Sequence, residues 1–484
     1  MEIVRKITLL SALSGAIASS LGAHPALPEW KSWAATPPMG WNSYDAYHGA
    51  ITGAQFREAV DVLAEKLLPH GWEYAVIDFC WFNPGPEGWD PDNWITFAVN
   101  QEEGADGELT PRLNMDAYGR LLPAVNRFPS SADGRGFKEI GDYVHSKGMK
   151  FGIHIMRGIP RQAVLERTPI KGTGLTAADI AEPFDTCRWN NNMYGVDASR
   201  PGAQEYYDSL FELYASWGVD YIKADDMTVP VYHRGEIELM RKAIDNCGRP
   251  MVLSLSCGET PIPEANHLDA NANMWRISID FWDEWKDLHH NFDLLNSWAP
   301  FIGDGTWPDA DMIPFGRLCL SDYPGRRESD DRKKKEHDSH FTWDEHQTLM
   351  TLWVMARSPL MWGGDPALSS EKTYSYLTNP EVLEVQKGSF NNRQLYHTFT
   401  GEAEAERIWV ADVPGSRDKY VALFNISEEE REVGFLLELE SMRGTYRVRD
   451  LWQREDTGEV SGTLSATLPP HGSALYRLSP ATGD

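Results

Sequence analysis

Val219-Asp220-Tyr221-Ile222-Lys223-Ala224-Asp225 is a short apolar run that ends in charged side chains. Residues 202–217, just before it, place apolar side chains at three- and four-residue spacing, the pattern of a helix with one buried face. This helix-then-strand unit recurs. Short apolar runs at 74–78, 150–154, 220–225, 251–256, 274–280 and 358–362 alternate with longer patterned stretches such as 53–68 and 136–146, from Thr36 to about Asp365. Strands alternating with helices imply a parallel sheet, and at this length a (β/α)8 barrel. A doubly wound open sheet is the competing arrangement. It calls for a Gly-rich phosphate loop after its first strand, and none follows here.

Working outward, the pattern changes near residue 388. Runs at 408–413, 420–426, 446–452 and 473–478 read as strands with no helical stretch between them. Residues 388–484 are therefore expected to form an antiparallel β-sandwich behind a barrel spanning 34–387. At the other end, Arg5 and Lys6 precede an apolar run from 7 to 21 with small residues at Ala18, Ser20 and Ala23. That layout predicts a secretory signal peptide over 1–23, and so a secreted or periplasmic protein. The run is short for a membrane span, and no membrane partner is expected. The block at 326–340 is densely charged and reads as a solvated face.

Composition narrows the partners. The chain of 484 residues carries 45 Lys+Arg against 72 Asp+Glu, a net charge of −27, which repels phosphate backbones and excludes a nucleic-acid partner. The 19 Trp and 18 Tyr suit stacking on sugar faces. Five scattered cysteines (Cys80, Cys187, Cys247, Cys257, Cys319) form no CxxC pair and no Cys/His cluster of metal-ligand spacing. Their odd number leaves at least one free thiol. No metal or cofactor is expected. Oligomeric state is not specified by these patterns.

In such a barrel the chemistry sits at the C-terminal ends of the strands. Lys223 and Asp225 are two apart and share a strand face. The ammonium favours an ionised Asp225, as a nucleophile requires, although a buried salt bridge would give the same pair. In 274–280, Arg276, Ser278 and Asp280 share a face if the whole run is a strand. Asp280 then supplies a second carboxylate, and as a general acid it needs a pKa raised by partial burial and by Asp225. Two Asp from different strands are the minimal equipment for glycoside hydrolysis. Trp41, Asp78, Trp81, Asp309 and Asp311 end other runs and are candidates for gripping a substrate.

Pro37-Pro38-Met39-Gly40-Trp41-Asn42-Ser43, Tyr221-Ile222-Lys223-Ala224-Asp225, Trp275-Arg276-Ile277-Ser278-Ile279-Asp280, Trp307-Pro308-Asp309-Ala310-Asp311-Met312 and Arg357-Ser358-Pro359-Leu360-Met361 closely resemble the motifs of glycoside hydrolase family 27, in the same order. This is the α-galactosidase and α-N-acetylgalactosaminidase family. The resemblance implies a (β/α)8 barrel followed by a β-sandwich, and retaining release of a terminal α-linked sugar, galactose first among them. It places Asp225 on the nucleophile, Asp280 on the acid/base, and Trp41, Asp78, Lys223 and Arg276 on sugar-binding positions.

The departures bear on the sugar. The family's second Asp after strand two, which grips galactose hydroxyls, is Phe79 here, and its Tyr after strand three is His154. A Cys that normally follows the nucleophile is replaced by Asp226 and Met227, so its disulfide is not expected. The family's Glu after strand five aligns poorly with Ser256-Cys257-Gly258-Glu259. A long polar and aromatic loop at 155–199, holding Arg157 and Trp189, is expected over the barrel mouth. If Phe79 replaces a contact to the 6-hydroxymethyl group, a β-L-arabinopyranoside becomes acceptable. If it replaces a contact to the axial 4-hydroxyl, an α-1,6-glucan does; an α-N-acetylgalactosaminide is a further alternative. The rival from another class is a carbohydrate-binding barrel without turnover, which the presence of both carboxylates disfavours.

Overall fold

The computed structural model describes residues 27–85, 101–103, 109–111, 113–187, 189–190, 192–321, 335–395 and 404–481. The expected signal peptide and most of the charged block lie outside the described residues. Eight parallel strands form the barrel: β1 (Met39–Asn42), β2 (Tyr74–Ile77), β3 (Lys150–Met156), β4 (Tyr221–Asp225), β5 (Val252–Leu255), β6 (Met274–Arg276), β7 (Trp307–Asp309) and β8 (Leu360–Trp362). Each pairs with the next as far as β7, and β8 pairs back to β1. The ring closes where the chain beyond β7 reaches β8: Ile313 N donates to Met361 O at 2.7 Å and bridges Trp362 in parallel.

The intervening helices follow the sequence periodicity. They include α1 (Gly53–Lys66), α2 (Lys138–Ser146), α3 (Ala203–Trp217), α4 (Arg234–Asn246), α5 (Ala265–Asn271), α6 (Trp285–Trp298) and α7 (Trp343–Met355). Thr52 and Gln55 form a capping box that starts α1. Helix α3 buries Tyr206, Tyr207, Leu210, Phe211, Tyr214 and Trp217 on one stripe, and Gly218, at φ 82°, ends it. Its Trp217 meets Trp81 and Phe137 edge to face, with centroids 6.0 and 5.7 Å away. Trp81 is thus core and not substrate grip.

Two expectations change. The 155–199 stretch is not an open loop: Ile159–Pro160, Met193–Val196 and Ala181–Glu182 form a small antiparallel sheet, with short helices Arg161–Leu165 and Ala177–Ile180. The C-terminal unit has eight strands where four were legible: β9 (Phe390–Leu395), β10 (Glu406–Asp412), β11 (Lys419–Asn425), β12 (Arg431–Leu436), β13 (Thr445–Asp450), β14 (Glu455–Ser461), β15 (Thr463–Leu468) and β16 (Ser473–Pro480). One sheet runs β9-β10-β11-β16-β13-β14, and β12 with β15 makes the other.

Alternation along β10 shows how the units join. Ile408 and Val410 point into the sandwich core with Val421, Leu423, Val433 and Phe435. Trp409 and Ala411, on the opposite face, join Ala422, Phe424 and Leu475 in the core continuous with the barrel. Phe424 meets Phe292 of α6 edge to face at 5.0 Å, and Gln347 of α7 donates to Ser473 O at 2.7 Å. All five cysteines are free thiols. Among the described residues no helix is long and apolar enough to cross a membrane.

Candidate active site

A cavity of about 430 Å³ opens at the C-terminal ends of the barrel strands. Asp78, Phe79, Lys223, Asp225, Arg276, Asp280 and Asp311 all line it, so these seven residues singled out from the sequence converge on one space, whereas Trp41, Trp81, His154 and Asp309 do not line it.

Asp78, just past β2, is buried. Its Oδ2 accepts from Lys223 Nζ at 2.9 Å and Asn42 Nδ2 at 2.7 Å, and its Oδ1 accepts from the Phe79 amide at 2.7 Å. Burial alone would raise its pKa, but the Lys223 ammonium, His154 and the Phe79 amide hold it well below the usual carboxylate range. Lys223 is itself held charged, because the attraction of Asp78, Asp311 and Asp225 outweighs its burial.

Strand β4 presents Asp225 on the face of Lys223, two residues on. In the β3–β4 register His154 lies opposite Lys223, and its Nε2–H donates to Asp225 Oδ2 at 3.0 Å. The Asp226 amide donates to the other oxygen at 2.7 Å. Burial works to raise the pKa of Asp225. His154, Lys223 and that amide reverse the sign, so the carboxyl is held below its ordinary value. His154 is thus a buried support beneath Asp225 and is not among the cavity-lining residues.

The second carboxylate arrives differently from expectation. Strand β6 stops at Arg276, and Asp280 stands on the following loop with its side chain 71% exposed. The partial burial expected of a general acid is therefore absent in the free protein. Buried Arg276 positions it, with Nη2 3.2 Å from Asp280 Oδ1 and 2.9 Å from Asp311 Oδ2. Asp311, at φ 86°, also accepts from the Phe281 amide at 2.8 Å, tying β7's exit to the Asp280 loop. Burial pushes neighbouring Asp309 up to about 6. The Cys257 thiol, at the cavity wall, is pushed well up by burial and by the negative charges of Asp225 and Asp280, both of which reach it.

Trp41, expected as a sugar platform, is 0% exposed; it donates from Nε1 to Gly364 O at 2.7 Å inside the barrel wall and packs on Phe56. The aromatic at the cavity on this segment is Tyr44, three residues on and past the strand end. Trp189, from the 155–199 subdomain, and Trp282 complete the aromatic lining, with Phe79 edge to face against both Trp189 and His154 at 5.5 Å. Asp45, Cys257 and Trp282 also face the cavity and carried no sequence signal of their own. Glu259 pairs with His290 at the surface instead.

Behind this wall Arg157, at the exit of β3, is buried among Asp185, Asp226 and Glu236, at 2.9, 2.8 and 2.8 Å. It occupies the middle of that acidic cluster and fixes the subdomain that carries Trp189.

Comparison with known proteins agrees with this architecture. The model of "Alpha galactosidase A" matches residues 192–329, and that of the "Alpha galactosidase C-terminal beta sandwich domain" matches 404–478. A β-L-arabinopyranosidase of family GH27 from Geobacillus stearothermophilus is 44% identical, covering 95% of this chain and 100% of that one, with a TM-score of 0.86. Alpha-galactosidase 3 of Arabidopsis thaliana is 26% identical over 93% of this chain and 83% of its own length. Alpha-galactosidase A of Cellvibrio japonicus is also 26% identical, over 93% of this chain and 94% of its own. With these relatives, the barrel and the sandwich are those of a glycosidase, and the chain belongs to glycoside hydrolase family 27.

Proposed function

We propose that the enzyme is a retaining exo-glycosidase that removes terminal β-L-arabinopyranosyl units by double displacement. Asp225, kept ionised by His154 and Lys223, attacks the anomeric carbon while Asp280 gives its proton to the departing glycosidic oxygen. A sugar filling the cavity shields Asp280 from solvent and supplies the burial that the free protein lacks. In the second step Asp280 takes a proton from water. The water oxygen then bonds to the anomeric carbon, and the ester to Asp225 breaks. Asp78, clamped by Lys223, and Arg276 with Asp311 are the hydroxyl-binding groups.

The observation that carries the sugar assignment is Phe79. It puts an aromatic edge, wedged between His154 and Trp189, on the wall beside the Asp78 acceptor. Such a wall offers nothing to a further hydroxyl. β-L-Arabinopyranose is α-galactopyranose without its hydroxymethyl group, and the 44% identical relative acts on that sugar. The α-galactoside alternative is favoured by the 26% identical relatives. The discriminating experiment compares kcat/KM for p-nitrophenyl β-L-arabinopyranoside and α-D-galactopyranoside. A preference of about tenfold or more for the arabinoside is expected, and a preference for the galactoside overturns the assignment. Asp225→Asn should lower kcat on either substrate by about 10³-fold or more. Retention is checked by the anomer first released, followed by NMR. The leader-like segment supports an exported enzyme, to be checked by sequencing the N-terminus of the mature protein.

A further inference from the structure

Asp283 lies three residues beyond Asp280, next to the cavity residue Trp282. Its side chain is 1% exposed, and two histidines from the chain beyond β7 converge on one of its oxygens. His337 Nε2 is 3.0 Å and His340 Nδ1 2.9 Å from Oδ2, which also accepts from the His340 amide at 2.7 Å. The imidazoles stack with centroids 4.1 Å apart. Asp283 Oδ1 is buried and has no hydrogen-bond partner among the described residues.

The orientation of His337 is decisive. Its Nδ1 sits 2.6 Å from the Lys335 carbonyl oxygen, which can only accept, so Nδ1 bears the hydrogen. In the neutral ring Nε2 then presents a lone pair, and that lone pair faces a carboxylate oxygen. Two electron-rich atoms meeting in a partly buried place call for a positive charge at their contact. A histidine that gives its remote N–H to a backbone carbonyl and aims its lone pair at a shared centre is the usual arrangement around a protein-bound metal. The three ligand atoms lie within 4.8 Å of one another. A tetrahedral zinc site with bonds of about 2.0–2.1 Å needs ligand atoms roughly 3.3 Å apart, close to the 3.0 and 2.9 Å that separate the two imidazole nitrogens from Asp283 Oδ2, and binding would open the near-parallel ring stack so that both lone pairs meet the ion.

We propose that Asp283, His337 and His340 bind one divalent ion of the zinc type. Two imidazoles and a carboxylate suit such an ion, whereas calcium and magnesium favour all-oxygen sets. The ion takes no part in bond cleavage. It staples the loop carrying Asp280 and Trp282 to the hairpin of Arg317–Leu318 and His337–Asp338, leaving a fourth position for water.

The test is calorimetric titration of the chelator-stripped full chain with zinc chloride, repeated with cobalt(II) chloride and read by visible absorption. One ion per chain is expected, with the absorption of a low-coordinate nitrogen and oxygen site. His340→Gln should weaken zinc binding by at least about tenfold. The His340 side chain is 41% exposed, so this variant is expected to keep its fold, as circular dichroism will show. Asp283→Asn, a near-isosteric change, provides a second variant with the same expected loss. A folded wild type that takes up neither ion overturns the proposal and leaves a protonated His337 as the charge at the contact. Unchanged zinc stoichiometry and affinity in folded His340→Gln overturns it as well.

Discussion

At Asp225 burial competes with three neighbours. Burial favours the neutral acid; the His154 Nε2–H, the Lys223 ammonium and the Asp226 amide favour the carboxylate, and they win. As the nucleophile proposed above, Asp225 must be ionised, so activity should fall as pH drops through this lowered pKa, and the acid limb of kcat/KM should lie below the ordinary carboxylate range. His154→Gln removes the largest of the three opposing influences. Its acid limb should move toward neutral pH, as a pH–rate profile will show; an unmoved limb would mean that Asp225 is not the group titrating. Phe79 governs a different property. Phe79→Asp places an acceptor beside Asp78 and should shift the kcat/KM ratio toward the α-galactoside by about tenfold or more, with the Asp225-dependent chemistry retained. At this scale the sequence exposed residue types better than their reach. Lys223 and Asp225 were legible because period-two alternation holds along β4. Trp41 was misread for Tyr44 because the strand ends at Asn42, and the face that meets the cavity changes there.

Among the elements, the 155–199 subdomain shows what a single-sequence pattern hides. Its fold depends on Arg157 joining Asp185, Asp226 and Glu236, residues far apart in sequence that no local period connects. Arg157→Met leaves the buried acids Asp226 and Glu236 without their cation and should cost about 3–5 kcal/mol in urea unfolding. The sign of its pH dependence follows from Asp226. Burial already pushes that acid up to about 6 against the pull of Arg157. A raised pKa means that the native state binds a proton that the unfolded chain lacks, so the variant's deficit should shrink as pH falls from about 7 toward about 4. Strand β14 was missed for another reason. Glu-Asp-Thr-Gly-Glu-Val-Ser is an exposed edge strand, recruited by pairing with β13 and not by burial of its own side chains. The opposite error was made at β6, where Ser278 and Asp280 extend the alternation past the point at which the backbone leaves the sheet. His337 and His340 carried no signal because their partner, Asp283, lies on a different barrel loop.

For the molecule as a whole, barrel and sandwich share one apolar interior through the Trp409 face of β10, while the Val410 face closes the sandwich's own core. Trp409→Ala should cost about 3–5 kcal/mol and resolve a separate melting transition for the sandwich in calorimetry, whereas Val410→Ala should destabilise the protein without separating the two. The division into barrel and sandwich was readable because the spacing of apolar residues changes from helical to alternating near residue 388. The docking was not, since both faces of β10 are apolar and nothing local says which partner each one meets. Strand β16 lies in the interior of the six-stranded sheet, hydrogen-bonded to β11 on one side and to β13 on the other. During synthesis β11 and β13 therefore each lack one neighbour until residues 473–480 are available. A stop codon just before Ser473 would release a chain with all its barrel strands but with β11 and β13 left as open edges, the kind of product that aggregation and cellular proteases remove.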